Sequence, residues 1–498
     1  METYSPEDIL IDNLSFKLNK GSSYITDRRS VSFWAQGSNI YKVDSGNRVI
    51  KIQLNAEDNS WLDPQSVMMF FTVENGDKAL NRKLRPISNP YSFFRRFRLL
   101  MGNTVIEDFD NFNRVSHMFS KLMNDGARDN EDAIGFGYRY DDYETKTQID
   151  QINVNNGVIG AVADVSALRD EVNAQLAGLT ASGSLSTKYD ASNIKGFNNK
   201  MTVGFKPLCG LFSQFKYIPL KYAPITLELE LVNSITEPII IQTGTGTDAG
   251  DFPDGTVAQP QNTSNMWEIN NVHLNCDICH LDNNLNNAYV EHLLGGKSLP
   301  ITMTTYITQQ QTVAGYSQLD IQVIRSVSKL VGVFITFNKD PVDAVGANEY
   351  FHKEFKRFYH PMINNDEAVN GFYNPDYELE FQIQLGSKLY PEYPCNSITQ
   401  CFYHLRKALN LPTFHQHSIS SQWLEYKESE FIFGFNLEKV PDSSYTGINT
   451  RAGQQMLVKV KPLNQGVLTS TLMPDRISIT LLSEQIVNIS DSGIERLD

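Results

Sequence analysis

The chain has 498 residues, of which 41% are hydrophobic and 20% are charged, and its formal net charge is −14. This composition is typical of a folded globular protein and leaves room for two substantial domains. The acidic balance disfavours a protein whose main work is to coat nucleic acid, because phosphate binding needs a surplus of lysine and arginine.

Short strand patterns separated by Gly, Asn, Asp and Pro dominate the chain. They are rich in β-branched and aromatic residues, and no regular alternation of strand and helix is present, so we predict sandwiches or jelly rolls rather than a parallel sheet. The predicted strands are 49–54, 67–73, 226–232, 301–307, 319–324, 331–337, 377–385, 431–437, 456–460 and 477–482. Helical spacing of apolar residues predicts helices at 112–123, 164–179, 287–294 and 398–409.

One block of sequence occurs twice, at 97–106 and again at 381–390. In each copy a Phe stands five residues before a Gly, an apolar residue directly precedes the Gly, and a small polar residue follows it. A helical pattern comes after both blocks. The two glycines, Gly102 and Gly386, lie more than half the chain apart. Two strand–turn–helix units at that distance indicate two similar domains.

The motif Cys276-Asp-Ile-Cys279-His280 matches the pattern of covalent haem attachment. It lies inside an alternating run, however, and a strand places residues three apart on opposite faces. We therefore interpret it as an ordinary strand. Zinc would need two more ligands, and the sequence has no second pair of cysteines at that spacing. Five cysteines in total disfavour a disulfide framework and fit a reducing compartment.

Other candidate sites are also weak. The glycine-rich run 244–250 is followed by a turn rather than a helix, so it lacks the helix N-terminus that holds phosphate. Paired carboxylates can serve hydrolysis or bind a cation, but carboxylates beside strand ends are far more often solvated or helix-capping. Two carboxylate groups have this character: Glu107, Asp108 and Asp110, and then Asp141, Asp142 and Glu144.

Arginines and phenylalanines alternate at 93–98, a mixture that can bind single-stranded nucleic acid. The same pattern fits a strand whose Phe97 and Leu99 face inward, and the acidic chain favours that interpretation. The residues concerned are Arg95, Arg96 and Arg98 with Phe93, Phe94 and Phe97. We predict no catalytic, cofactor-binding or metal-binding residue, no cofactor and no specific nucleic-acid site. The chain is not expected to be an enzyme.

No transmembrane segment is expected, because the longest apolar-rich run, 330–337, is far shorter than the roughly 20 residues that a membrane helix needs. The first ten residues carry acidic side chains and no long apolar core, so we do not expect them to form a secretory signal.

The segment 93–114 resembles the major capsid proteins of polinton-like viruses, adintoviruses and virophages. In that family a strand leads to a glycine turn, an acidic pair, an Asn-Tyr/Phe-Asn-Arg step and a helix. Gly102, Glu107, Asp108 and Asn111-Phe-Asn-Arg114 occupy those places. Segments similar to later parts of the family are 207–220, 225–231, 266–274, 289–294 and 385–394. Residues 124–200 match nothing in it.

The resemblance implies an all-β fold with a few short helices: two tandem eight-stranded jelly-roll sandwiches, a double jelly roll with long decorated loops. The implied first jelly roll spans 30–282, with large insertions at about 124–200 and 233–265. The remaining parts are an N-terminal arm at 1–29, a bridging helix at 283–297 and a second jelly roll at 298–498.

The function that the resemblance implies is structural. A major capsid protein of this kind forms homotrimeric, pseudo-hexameric capsomers that tile an icosahedral shell. Its partners would be copies of itself, neighbouring capsomers, and penton and minor capsid proteins. Its location would be the virion, assembled in the host cytoplasm or nucleus. The alternative is a β-sandwich carbohydrate-binding or carbohydrate-cleaving protein. A penton or a spike is a third interpretation, which the internal duplication and the lack of fibrous repeats disfavour.

Overall fold

The computed structural model describes most of the chain. The described residues are 24–44, 46–56, 59–77, 84, 86–137, 197–239, 264–313, 318–338, 358–360, 379–409, 426, 430–440, 446–451, 455–462 and 476–497.

The first half of the chain folds into a sandwich of two antiparallel sheets. One sheet has the order β1-β10-β4-β7 and the other has the order β3-β9-β5-β6. Strand β1 joins them, because residues 25–34 pair with β10 whereas Ala35 and Gln36 pair with β3. The eight strands are β1 (Ile25–Gln36), β3 (Val49–Leu54), β4 (Ser60–Asn75), β5 (Phe94–Met101), β6 (Thr104–Asp110), β7 (Lys200–Phe205), β9 (Ile225–Leu231) and β10 (Trp267–Leu281). Two short strands, β2 (Ile40–Tyr41) and β8 (Ile218–Pro219), flank the first sheet.

The second half of the chain repeats this sandwich. Its sheets have the orders β11-β18-β13-β16 and β12-β17-β14-β15. The strands are β11 (Leu299–Thr312), β12 (Leu319–Val323), β13 (Leu330–Asn338), β14 (Leu379–Leu385), β15 (Lys388–Cys395), β16 (Ile432–Asn436), β17 (Met456–Pro462) and β18 (Arg476–Ser490), followed by the short β19 (Gly493–Leu497). In both halves the first, eighth, third and sixth strands form one sheet, and the second, seventh, fourth and fifth form the other. This is jelly-roll topology, present twice.

Alternating sequence explains the buried faces of these strands. In β9, Ile225, Leu227, Leu229 and Leu231 are fully buried, and the Thr and Glu residues between them are half-buried. Because side chains of a strand point to opposite faces in turn, the four aliphatic residues enter the core together. The core of each roll is one contiguous cluster of buried apolar residues.

Five α-helices lie among the described residues: α1 (Phe112–Lys121), α2 (Asp125–Ile134), the single turn α3 (Gly210–Ser213), α4 (Asn283–Leu294) and α5 (Ile398–Ala408). A 3-10 helix at Pro90–Phe93 precedes β5. α1 follows the fifth strand of the first roll, and α5 follows the fifth strand of the second. The side chain of Ser397 caps α5 by accepting a hydrogen bond from the backbone N–H of Gln400. The predicted helix at 287–294 was too short, since α4 begins at Asn283.

One predicted limit differs from the structure, and one predicted insertion contains a helix. β1 begins at Ile25, five residues before the limit that the sequence suggested for the first roll. Residues 125–134, inside the region predicted as an insertion, form α2. The predicted helix 164–179 lies outside the described residues, and the division into arm, rolls and bridge stays a prediction.

Successive strands run in opposite directions, so the connections of each roll fall at two ends. In the first roll, β5–β6 and β7–β9 connect at one end, named here the hairpin end. The long connections, residues 111–199 and 232–266, join strands at the opposite end, named here the loop end. In the second roll, residues 339–378 and 396–431 connect strands at its loop end.

Candidate functional site: the contact between the two jelly rolls

The two rolls share a buried contact that defines how they stand relative to each other. The first roll contributes β6, α1 and α3, and the second roll contributes chiefly β11, β18 and β19. Apolar side chains cross the contact in both directions. Ile301, Met303, Val487 and Ile489 from the second roll complete the first core. Met118 of α1 and Leu122, the residue directly after α1, lie in the second core.

Aromatic rings form the centre of this contact. The ring of Tyr306 on β11 lies 6.1 Å from Phe109 of β6 and 5.4 Å from Phe119 of α1, measured between centroids. Phe119 in turn makes an edge-on contact with Phe334 of β13 at 5.4 Å. Such edge-to-face pairs add to the free energy of apolar burial.

Glu107 is the one acidic side chain of β6 that faces into this contact. Its carboxylate accepts hydrogen bonds from the backbone N–H of Gly210, at 2.9 and 3.2 Å from the two oxygens. The Cys209 thiol and the Thr305 hydroxyl also bond to it. Burial, only partly offset by these bonds, raises the pKa of Glu107 to about 7. Burial likewise raises the pKa of Cys209 and that of Tyr306, and the nearby Glu107 charge adds to both shifts.

Gly210 lets the two rolls approach closely. A Cβ atom at this position would overlap the carbonyl oxygen of Thr304 on β11 and would crowd a carboxylate oxygen of Glu107. The backbone of α3 therefore packs directly against the backbone of β11, and only glycine fits there.

Polar contacts hold the two rolls in the same orientation, with hairpin end beside hairpin end and loop end beside loop end. At the hairpin end, the Thr104 hydroxyl donates to the carbonyl of Ile494 at 3.1 Å. The Gln485 side chain donates to the carbonyl of Ile106, also at 3.1 Å. At the loop end, Lys121 of α1 forms a buried ion pair with Glu430 of the second roll. Since loop end meets loop end, the long connections of both rolls leave on one side of the molecule.

The carboxylates considered from the sequence do not form a catalytic pair. Glu107 is buried between the rolls, whereas Asp108 points to the opposite face of β6 and is exposed. Asp108 accepts two hydrogen bonds from Arg96, each 2.8 Å, and lies 3.5 Å from Arg98. Asp110 is 3.7 Å from Arg96.

These ion pairs also explain the arginine–phenylalanine run of β5. Phe94, Phe97 and Leu99 are fully buried, as predicted for the last two, and Arg96 and Arg98 face acidic side chains of β6 and β9. The hydrogen bond to Asp108 is the main cause of the raised pKa of Arg96. The acidic side chains of β6 and β9 neutralise the charges of Arg96 and Arg98. This neutralisation would weaken the attraction of the two arginines for phosphate.

Cys276 and Cys279 lie on opposite faces of β10, as predicted. Cys276 belongs to the first core, and Cys279 contacts Arg28 and Tyr217 on the other face. Among the described residues, no group of three or more Cys, His, Asp or Glu side chains could hold a metal ion. Asp141, Asp142, Glu144 and the run 244–250 lie outside the described residues.

The sequence did not identify most of this contact. Cys209, Gly210, Thr305, Tyr306 and the Lys121–Glu430 pair carry no local motif. Glu107 did carry a signal, because it has the same alternation phase as the buried Phe109 in β6. None of the described helices is long and apolar enough to cross a membrane.

Comparison with known proteins supports the fold. No protein-family profile and no curated protein matches the chain. Solved structures do match over nearly its whole length. The VP54 protein of PBCV-1, fitted into a reconstruction of the virophage Sputnik, has a TM-score of 0.56 at 9% identity, covering 97% of this chain and 98% of its own. A chain from the cryo-EM structure of the Sputnik virophage has a TM-score of 0.53 at 10% identity, covering 100% and 92%.

The Faustovirus major capsid protein has a TM-score of 0.53 at 8% identity, covering 97% of this chain and 94% of its own. Identities this low establish the fold alone. The strand order found twice in the chain agrees with that similarity. The chain therefore has the double jelly-roll fold of these viral capsid proteins, as the resemblance in its sequence indicated.

Proposed function

We propose that this chain is a major capsid protein, three copies of which form a pseudo-hexameric capsomer of an icosahedral virus shell. The observation that carries the proposal is the repetition of one jelly roll in the same orientation. Two similar rolls per chain with the same end up give six similar lobes in a trimer. A trimer with six similar sides can tile a curved shell with near-hexagonal packing.

The distribution of the connections supports this role. The long connections of both rolls leave at the loop ends, which lie on one side of the molecule. The hairpin ends carry short turns at Gly102 and Gly386. In a capsomer whose rolls stand upright, the loop ends form one surface and the hairpin ends the other. We assign the loop ends to the outside of the shell, because long connecting segments belong on the exposed surface.

The other partners follow from the same proposal. Capsomers contact one another and, at the vertices and beneath the shell, penton and minor capsid proteins, and the protein resides in the virion. Residues preceding β1 are an arm that contacts neighbouring capsomers. Deletion of residues 1–23 should leave the trimer intact and impair shell formation. Loss of the trimer itself would contradict this role of the arm.

The carbohydrate alternative is not favoured. Cleavage of a glycosidic bond needs two carboxyl groups on either side of one substrate, roughly 5–10 Å apart. Glu107 and Asp108, the pair closest to that requirement in the sequence, lie on opposite faces of β6, and Glu107 is enclosed between the rolls.

The mass of the purified protein tests the proposal. One chain has a mass of 56.3 kDa, so a trimer has three times that mass, about 169 kDa. We expect sedimentation or light scattering to give the trimer mass at micromolar concentration. A monomer under these conditions would contradict the capsid proposal.

A further inference from the structure

Helices α1 and α5 occupy equivalent places in the two rolls but differ in how much of their surface is covered. Eight of the ten residues of α1 are buried, because one side packs on the first roll and the other on the second. Only three of the eleven residues of α5 are buried, all on the side of the second core. In the described part of the chain, the other side of α5 is therefore open.

A pair of equivalent residues makes this difference concrete. His117 stands six residues after the N-cap of α1, is fully buried, and lies 5.5 Å from the ring of Phe358 in the second roll. Tyr403 stands six residues after the N-cap of α5 and is 54% exposed. The position that contacts the next roll in α1 thus carries an exposed aromatic ring in α5.

The strands before these helices show the same difference. β6 is covered by β11 and β19, and Ile106, Glu107 and Phe109 are buried. In the equivalent strand of the second roll, β15, only one of the eight residues is buried, and Tyr393 is 81% exposed. Large exposed aromatic side chains such as Tyr393 and Tyr403 are typical of interface anchors.

The complementary face exists on the first roll. In the second roll, β11 presents Tyr306 to α1 and β6, while the next residue, Ile307, packs on the second core. β1, the equivalent first strand, has the same alternation, since Phe33 packs on the first core. Its neighbour Trp34 points away from that core and is 58% exposed. Trp34 also lines an open cavity of about 430 Å³ with Ile40 and Tyr41.

We propose that the surface formed by α5 and β15 in one copy, with Tyr403 and Tyr393, docks on the outward face of β1, with Trp34, in the first roll of a second copy. This contact would repeat the one that joins the two rolls within the chain. In this contact Tyr403 and Trp34 take the places of His117 and Tyr306. The inference rests on the proposed capsid function and identifies the trimer contact. The two faces differ, so the contact is head-to-tail, and three such contacts close a ring of six rolls.

Three single substitutions test this assignment in the full-length protein. Tyr403→Glu and Trp34→Glu each place a charge at the centre of the proposed contact, where an unpaired charge is costly to bury. Leu294→Glu is the matched control, because Leu294 on α4 is 67% exposed and lies on neither face. Tyr403 and Trp34 are exposed in the single chain. We therefore expect each glutamate variant to fold normally as a single chain.

We expect the Tyr403→Glu and Trp34→Glu proteins to sediment as folded monomers of 56.3 kDa, and the Leu294→Glu protein to remain a trimer. The proposed contact is wrong if both glutamate variants stay trimeric while the wild-type protein is a trimer. A monomeric wild-type protein would instead reject the capsid proposal itself, so the two failures are distinguishable. Circular dichroism confirms that the monomeric variants are folded, and an unfolded variant would be replaced by Tyr403→Ser or Trp34→Ser.

Discussion

Gly102 and Gly386 occupy the same position in the two jelly rolls. Both have left-handed backbone conformations, with φ of 59° and 58°. The N–H of Gly102 donates to the carbonyl of Pro224, directly before β9, at 2.7 Å, and the N–H of Gly386 donates to the carbonyl of Gln455, directly before β17, at 3.1 Å. The Phe five residues before each glycine pairs with the fifth residue of the adjacent strand in both rolls. The repeated block thus marks equivalent turns with equivalent hydrogen bonds.

We predict that Gly102→Ala and Gly386→Ala each lower the free energy of unfolding by about 1–2 kcal/mol, since a Cβ atom is strained in this region of backbone space. Gly46→Ala is the control, because Gly46 has open space around it and no positive φ. Denaturant unfolding of the three variants measures the effect. If alanine at both turns is as well tolerated as at Gly46, the turns do not need the left-handed conformation.

Glu107 makes the stability of the roll contact depend on pH. Its pKa is about 7 in the folded protein and about 4.5 when unfolded. Because folding raises this pKa, protonation of Glu107 stabilises the folded state. The stabilisation is fully present below pH 4.5 and is lost as pH rises through 7. Glu107→Gln keeps an acceptor for Gly210 and removes the ionisation. We therefore expect this variant to gain stability relative to wild type, by roughly 3 kcal/mol at most, between pH 5 and pH 8.

Denaturant midpoints of both proteins across this pH range provide the measurement. Burial also raises the pKa of Glu131 to about 7, so Glu131 acts in the same direction in both proteins and cancels in the difference. A difference between Glu107→Gln and wild type that does not change with pH would contradict the buried carboxylate.

We predict that Lys121 and Glu430 are strongly coupled in their contributions to the free energy of unfolding. Both side chains are almost fully buried, and removing one partner leaves the other charge buried without it. We expect Lys121→Met alone to cost about 3–5 kcal/mol, and the double variant Lys121→Met/Glu430→Leu to recover most of that loss. A double-mutant cycle from unfolding experiments measures the coupling. Additive effects of the two single variants would show that the pair does not couple the rolls.

The close approach of the two rolls at Gly210 should not tolerate a larger residue. Gly210→Ala places a methyl group against the Thr304 carbonyl, so α3 and β11 must separate. Overpacking of this kind costs typically 1–3 kcal/mol. Hydrogen exchange of β6 and β11 amides reports the separation, and Gly46→Ala again serves as the control. Unchanged protection in Gly210→Ala would mean that the backbones are not in contact.

Much of the fold could be predicted from the sequence, because its strands alternate strongly. The predicted strand at 49–54 is confirmed to the residue as β3, and those at 226–232 and 331–337 are confirmed within one residue of β9 and β13. The helices predicted at 112–123 and 398–409 are confirmed as α1 and α5. The repeated glycine block identified equivalent turns and indicated two similar domains. The double jelly roll was implied by the resemblance of 93–114 and the other similar segments to viral major capsid proteins.

Strands without that alternation were missed. β15 contains Pro391 and Pro394, and proline inside a run normally argues against a strand. β15 is an edge strand, however, so the backbone on its open side needs no hydrogen-bond donors. β1 was not predicted, and its first residues were assigned to the N-terminal arm, because Asp27, Arg28 and Arg29 give it no apolar face at its start. The roll contact could not be predicted, because its partners are far apart in sequence. Glu107 and Gly210 are 103 residues apart, and Lys121 and Glu430 are 309 residues apart.

Averaged electron-microscopy images of the purified wild-type particle test the central claim most directly. If each chain contributes two equivalent upright rolls to a trimer, end-on views will show six lobes of similar size around a central depression, with threefold symmetry at higher detail. Views with two lobes, or with three lobes of a single kind, would contradict the proposal that the duplicated jelly roll builds a pseudo-hexameric capsomer.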